Sequence, residues 1–181
     1  MHGIIFASFF DYVRTALGSS SAATIFDQGF YSMSESHPDD EFMRLLGRTS
    51  AALSTPIETV LHDFGVYTGE QTFPRLYPSQ FEIAGDTRSF LLTVEDRIHE
   101  LVRATIPDAD PPALTVMPVG ESQIDLTYAS PRRLCRLLEG LVVGTARHYD
   151  EEVEITEATC MHDGAPSCKF EAQFLGQASA D

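Results

Sequence analysis

The sequence has little positive charge: 12 Lys and Arg residues stand against 27 Asp and Glu residues, and the formal net charge is −15. Nucleic-acid binding needs a basic stripe that neutralises phosphates, so this balance excludes it and favours a partner with a basic patch. The sequence also lacks any apolar run near the roughly 20 residues that cross a bilayer. Its apolar N-terminus has neither the basic segment nor the cleavage site of a signal peptide. We therefore expect a cytoplasmic protein with no nucleic-acid partner and no membrane partner.

Cysteine is also scarce, and the three residues make an odd number without a disulfide framework. This count favours a reducing compartment. The sequence has no phosphate-binding glycine loop, no nucleophile elbow and no HExxH motif. Its acidic runs at 39–41 and 150–152 are typical of solvated surface. Because no pair of residues indicates catalysis, we expect a protein that is not an enzyme.

The N-terminal half has the periodicity of helices. Apolar residues at helical spacing predict a first helix that ends at Gly18, a second helix over 39–53 and a long helix over 87–105. Thr55 is suited to cap a further helix that ends at Gly65. The Gly- and Pro-interrupted stretch that follows predicts short helices and loops.

The C-terminal half has the alternation of strands. Apolar residues at every second position predict four strands, near 114–116, 124–128, 153–155 and 170–174. Ser130 and Pro131 are expected to begin a helix that runs to about Tyr149, between two hairpins. This order predicts an α+β fold in which a helical N-terminal half packs on a four-stranded antiparallel sheet. We expect one domain over residues 1–176 and a disordered tail over 177–181.

One short segment concentrates polar groups where a strand is predicted to meet a helix. Tyr128, Ser130 and Arg132 supply a phenol, a hydroxyl and a guanidinium within five residues, and His99 lies 29 residues before Tyr128. A guanidinium suits carboxylates such as those on the edge of a haem, and an imidazole can be the axial ligand of haem iron. Two ordinary explanations stay open, namely a Ser-Pro helix start and a histidine of the core or its boundary.

Together with the opening segment Met1-His2-Gly3-Ile4-Ile5, these residues resemble the H-NOX family of haem nitric-oxide/oxygen-binding sensor domains. The resemblance extends to about Phe174. It implies a haem b cofactor with His99 as the axial ligand of the iron. It also implies that three residues hold the haem propionates: Tyr128, Ser130 and Arg132.

The resemblance implies a haem pocket as well. Ile5 and Pro112 match residues that press on the haem and distort it from planarity. In dioxygen-binding members a distal tyrosine donates a hydrogen bond to the ligand, and the matching position here is Leu137. The polar positions that support this tyrosine correspond to Phe9 and Gly69. Such an apolar pocket favours nitric oxide and carbon monoxide over dioxygen.

The implied function is a haem-based gas sensor that binds nitric oxide and regulates a separate signalling protein. Nitric oxide would weaken the bond between the iron and His99, and the helical half would shift relative to the sheet. In stand-alone bacterial members of the family the effector is typically a histidine kinase or a cyclic-di-GMP enzyme. Tyr67 and Tyr77 stay open as donors that would permit dioxygen binding.

The cysteines form a second candidate site. Cys135 lies on the last predicted helix, while Cys160 and Cys168 flank the last predicted turn, a placement similar to that in zinc knuckles. Some bacterial H-NOX proteins carry zinc here, with a histidine three residues before the second cysteine, where this sequence has Glu157. His162 is the alternative fourth ligand, and free buried cysteines are the alternative to zinc.

The terminal hairpin also resembles 4-vinyl-reductase-like domains that bind small hydrocarbons. The alternative function is therefore a haem-free module that binds a small molecule, or a zinc/thiol redox sensor built on the cysteines. The opening segment, His99 and the Tyr-x-Ser-x-Arg motif favour H-NOX.

Overall fold

The computed structural model describes residues 1–27, 29, 31–106 and 109–177. Its helices are α1 (Gly3–Leu17), α2 (Ser19–Ile25), α3 (Asp39–Leu53), α4 (Ile57–Tyr67), α5 (Phe73–Leu76), α6 (Pro78–Ala84), α7 (Thr87–Thr93), α8 (Glu100–Thr105) and α9 (Cys135–His148). Its strands are β1 (Ala113–Val119), β2 (Gln123–Ala129), β3 (Glu151–Thr159) and β4 (Cys168–Gln177). Of the tail predicted over 177–181, only Gln177 is among the described residues, and it ends β4.

The sheet consists of two antiparallel hairpins placed side by side in the order β1-β2-β4-β3. The inner face of its two central strands is buried, and the residues there are Ile124, Leu126, Tyr128, Phe170 and Ala172. This alternation between a buried and an exposed face is the one that the sequence predicted. The predicted fold class, helices followed by a four-stranded antiparallel sheet, is confirmed.

The interior has two hydrophobic clusters that share one helix. The first cluster lies among α1, α3 and α4 and is rich in aromatic rings, whereas the second lies between the sheet and the helices that precede it. From α9, Leu137 packs in the first cluster, and Leu138 and Val142 pack in the second. Helix α9 therefore joins the helical half to the sheet.

Glycines let α4 and α9 approach each other closely. A Cβ atom on Gly65 would lie 2.5 Å from the carbonyl oxygen of Leu137 and 2.8 Å from the Cα atom of Gly140. The prediction that Gly65 ends its helix is therefore wrong, because α4 runs on to Tyr67 and continues as the π-helical turn Thr68–Thr72. The missing side chain serves a helix contact instead of a helix end.

The start of the last helix also differs from the prediction. Ser130 and Pro131 precede the helix, which begins at Cys135. The reason is Arg133, whose φ of 51° lies in the left-handed region and cannot continue an α-helix. Arg132 therefore lies in a turn before the helix and not in its first turn.

The long helix predicted over 87–105 is present but not uniform. Asp86 caps its start by accepting a hydrogen bond from the Ser89 amide. Helices α7 and α8 are joined by the π-helical turn Val94–His99, and such turns are frequent at functional sites. No described helix is long and apolar enough to span a membrane.

The α4–α9 contact generates a stability prediction. A methyl group on Gly140 would collide with the backbone at His62, so we expect Gly140→Ala to lower the free energy of unfolding by about 1–3 kcal/mol. In α3, Gly47 has no atom within 4 Å of an added Cβ, so Gly47→Ala should raise it by about 0.5–1 kcal/mol. Urea unfolding followed by circular dichroism measures both changes. Equal effects of the two substitutions would contradict the proposed close contact.

Candidate functional site

A cavity of about 220 Å³ lies between the helical half and the sheet. Its wall combines side chains from the start of α1, from the helices between residues 73 and 102, from β1 and β2, and from α9. Most of these side chains are apolar, among them Ile5, Val94, Ile98, Leu114, Leu137 and Leu141. Such a cavity suits an apolar molecule that meets a few polar groups.

His99 lies on this wall, at the end of the π-helical turn. Its Nδ1 atom is 2.8 Å from Oε2 of Glu95, and the imidazole side chain is 17% exposed. Because a carboxylate oxygen accepts, the neutral imidazole that binds it has its proton on Nδ1 and its lone pair on Nε2. The arrangement leaves Nε2 suited to bind a metal ion.

The predicted polar motif lines the same cavity. Tyr128 is buried, and its hydroxyl oxygen accepts a hydrogen bond of 3.1 Å from the Leu134 amide. Burial raises the pKa of Tyr128, so its phenol keeps a proton that it can donate. The Ser130 hydroxyl accepts a hydrogen bond of 3.3 Å from the Arg132 amide. The strand-to-turn connection thus brings the three motif side chains to one part of the wall.

Arg132 has anionic partners within the chain. Its Nε lies 2.8 Å from Oδ2 of Asp39, at an angle that makes the contact ionic and not a good hydrogen bond. Its Nη1 donates to the Asp110 carbonyl at 2.6 Å and lies 3.3 Å from the carboxylate of that residue. Burial raises the pKa of Asp39, but the N-terminal ammonium and Arg132 outweigh this effect and hold it below its ordinary value. The guanidinium is therefore fixed in place at the edge of the cavity.

Three of the five predicted pocket residues line the cavity and two do not. Ile5, Pro112 and Leu137 form part of the wall. Phe9 lies behind it, fully buried in the first hydrophobic cluster. Gly69 lies against the backbone of α9, where a Cβ atom would be 2.5 Å from the Leu141 carbonyl oxygen.

The two tyrosines that the sequence offered as hydrogen-bond donors to dioxygen, Tyr67 and Tyr77, lie in different places. Tyr77 lines the cavity, and burial raises the pKa of its phenol. Tyr67 packs against the first cluster, where its hydroxyl accepts a hydrogen bond of 3.4 Å from Thr15. Of the two, Tyr77 is the hydrogen-bond donor that can reach a molecule in the cavity.

The three cysteines meet where α9 begins, beside the connection between β3 and β4. The sulfur atoms of Cys135, Cys160 and Cys168 and one carboxylate oxygen of Glu157 all lie within 4.8 Å of one another. His162 is not part of this group, because its Nε2 donates to the Arg133 carbonyl at 2.9 Å. The structure therefore brings Glu157, and not His162, to the thiols.

Electrostatics at this cluster favour a cation. Burial and the neighbouring sulfur of Cys168 raise the pKa of Cys135 to about 12, and burial also raises the pKa of Cys160. These two thiols therefore keep their protons unless a positive charge lies between them. One oxygen of Glu157 accepts a hydrogen bond from Arg136 at 3.0 Å. The other, Oε1, is buried and has no hydrogen-bond partner among the described residues. A metal ion would satisfy this oxygen and the three sulfur atoms together.

Sequence reasoning missed the acidic residues around the cavity. Glu95 lies four residues before His99 on a helix, a spacing that places the two side chains on one face. That signal was present in the sequence. Asp39 and Asp110 reach Arg132 across 93 and 22 residues of chain, and no local pattern indicates such contacts.

Comparisons with known proteins agree on one family. The sequence profile described as Haem-NO-binding matches residues 2–157. An H-NOX protein from S. oneidensis in the Fe(II)NO ligation state is 27% identical, with a TM-score of 0.89 over 97% of this chain and 100% of that chain. A mutant H-NOX protein from K. algicida in the Fe(II) unliganded form is 26% identical, with a TM-score of 0.82 over 96% of each chain.

A mutant H-NOX from T. tengcongensis, 22% identical over 99% of this chain and 100% of that chain with a TM-score of 0.84, shows the same fold. Comparison with curated protein sequences gives no match. The family profile covers most of the chain, including the cavity-lining residues of the helical half, the Tyr-x-Ser-x-Arg motif and α9. The chain therefore belongs to the Haem-NO-binding (H-NOX) family of haem-based gas sensors.

Proposed function

We propose that this chain binds haem b in the cavity, senses nitric oxide at the ferrous iron, and regulates a separate signalling protein without being an enzyme. The observation that carries the proposal is His99, a cavity-lining imidazole whose tautomer is fixed by a carboxylate. Bound there, haem iron would supply an open coordination position for a diatomic gas. His99 is proposed as its axial ligand.

The residues present fit a haem group. The apolar wall suits the macrocycle, while Tyr128, Ser130 and Arg132 can donate hydrogen bonds to two propionates. Arg132 would hold them in competition with Asp39 and Asp110, its present partners. The three cysteines do not line the cavity, which supports haem b, a haem without thioether bonds to the protein.

The wall of the cavity supports selectivity for nitric oxide and carbon monoxide. Bound dioxygen carries partial negative charge and needs a hydrogen-bond donor, whereas nitric oxide does not. Ile5, Leu137 and Leu141 offer none, and the hydroxyl of Thr145 already donates to the Leu141 carbonyl. Tyr77 is the donor whose position decides how strictly dioxygen is rejected.

The regulated partner is proposed to be a histidine kinase or a cyclic-di-GMP enzyme with a basic docking surface. The net charge of −15 supports a basic partner, as do the exposed carboxylates of Asp125, Glu154 and Glu171 on the outer face of the sheet. The helix that carries His99 packs on β1. A weaker tether at His99 would let this helix move relative to the sheet and change the surface offered to the partner.

The first test is the identity of the axial ligand. Purified wild-type protein should show a Soret band that carbon monoxide shifts. His99→Gly should lose the native ferrous spectrum, and added imidazole should restore it by filling the vacated position. His62→Gly, the same change on α4 away from the cavity wall, should keep the native spectrum. A native spectrum in His99→Gly without imidazole would show that another residue binds the iron.

The second test concerns selectivity. We expect wild-type ferrous protein to oxidise in air without a stable dioxygen spectrum. Leu137→Tyr, which places a phenol in the wall, should make that spectrum persist at least several-fold longer, whereas Leu137→Phe fills the same space without a donor and should not. A stable spectrum of the dioxygen complex in the wild type would refute the proposed selectivity. If Tyr77→Phe then lost that spectrum, Tyr77 would be identified as the hydrogen-bond donor.

We also propose that Cys135, Cys160, Cys168 and Glu157 bind a structural zinc ion. Three sulfurs and one oxygen form a closed set of four ligands, as structural zinc sites require. Zinc bound by thiolates persists in a reducing compartment, which supports a cytoplasmic location. Oxidants that release the metal would loosen the terminal hairpin and give the domain a redox input.

Metal analysis tests this site. Freshly purified, reduced protein should contain about one zinc ion per chain, and its thiols should resist alkylation until a chelator is added. Glu157→Gln should release zinc at a lower chelator concentration than the wild type. His162→Gln should not, since that imidazole points to a backbone carbonyl. Reduced protein without zinc would disprove the site.

A further inference from the structure

We propose that Glu95 is a positioning residue that sets how tightly His99 holds the haem iron, with Arg103 limiting its effect. This inference rests on the proposed function, because it concerns the same axial histidine. It adds a residue that neither the sequence motif nor the family resemblance identified.

The first observation is the contact itself. Oε2 of Glu95 lies 2.8 Å from Nδ1 of His99, within one π-helical turn. The two side chains are 31% and 17% exposed, so water screens the pair less than a pair on the open surface. A charged acceptor makes a shorter and stronger hydrogen bond than a neutral one.

The consequence for His99 is chemical. A carboxylate that accepts the Nδ1 proton fixes the ring orientation and raises the basicity of Nε2. A more basic Nε2 donates more electron density to a metal ion. With haem bound, Glu95 would strengthen the bond between His99 and the iron, favour the ferric over the ferrous form, and oppose loss of His99 on gas binding.

Arg103 acts at the opposite end of the same carboxylate. It forms an ion pair with Oε1 of Glu95, and its own side chain is 43% exposed. The guanidinium draws negative charge towards itself and away from Oε2. Glu95 therefore strengthens His99 as an electron donor, and Arg103 moderates this effect of Glu95. We expect removal of Glu95 and removal of Arg103 to have opposite effects on the bond between His99 and the iron.

The other charged side chains of this helical segment provide matched controls. Asp96 and Arg97 are exposed, and neither forms a hydrogen bond or an ion pair among the described residues. Asp96→Asn removes the same charge as Glu95→Gln at the next residue of the same π-helical turn. Arg97→Gln in turn removes the same charge as Arg103→Gln. Each control reports the long-range effect of net charge without the contact to His99.

The experiment uses the full chain loaded with haem, and three quantities are measured. They are the iron–histidine stretching frequency of the ferrous protein, the midpoint reduction potential, and the fraction of nitric-oxide-treated protein that keeps His99 bound. Glu95→Gln, which retains an uncharged acceptor, should lower the frequency, raise the potential and reduce the His99-bound fraction. Arg103→Gln should shift all three in the opposite direction. Asp96→Asn and Arg97→Gln should leave the frequency unchanged.

The outcomes separate this inference from the proposed function. A wild-type frequency and potential in Glu95→Gln, or shifts equal to those of Asp96→Asn, would overturn the role of Glu95 while His99 remains the ligand. If Glu95→Gln does not retain haem, Arg103→Gln decides. A change in its frequency and potential equal in sign and size to that of Arg97→Gln would then overturn the role of Glu95. A wild-type protein that binds no haem, or a frequency that His99→Gly leaves unaltered, would refute the proposed function and this inference with it.

Discussion

The close contact between α4 and α9 is the constraint on which the rest of the molecule depends. Glycines at 65 and 140 remove the side chains that would separate the two helices, and α9 then packs with one face in the aromatic cluster and the other on the sheet. Because α9 belongs to both clusters, its position determines where the cavity wall lies. Since Leu137 lies on α9, the position of this helix sets how far Leu137 lies from His99 across the cavity.

Polar groups at the cavity occur in chains of contacts and not as single side chains. Arg132 meets Asp39 and Asp110, and His99 meets Glu95, which in turn meets Arg103. Partly buried ions need such partners, since an unpaired charge removed from water is costly. The partners also hold each side chain in one orientation before a ligand arrives, which reduces the entropy lost on binding.

Local patterns in the sequence predicted much of this architecture. Alternation gave the four strands, helical spacing gave α1, α3 and the 87–105 helix, and the motif residues at 128, 130 and 132 do share one wall with His99. The predictions that were wrong concern the structural roles of individual residues. Gly65 has the chemistry of a helix end but serves a helix contact, and Ser130-Pro131 has the chemistry of a helix start but is followed by the left-handed Arg133. The placement of Phe9 and Gly69 behind the wall depends on packing between distant segments, which no local window contains.

The two edges of the sheet differ in a way that bears on how the protein associates with itself. The β3 edge carries four glutamates at 151, 152, 154 and 157, whereas the β1 edge, Ala113–Val119, carries no charge. Charged side chains deter the addition of a further strand, and an uncharged edge permits it except where proline removes a donor, as Pro118 does here. Addition of a further strand to this sheet is therefore opposed at the β3 edge and better tolerated at the β1 edge.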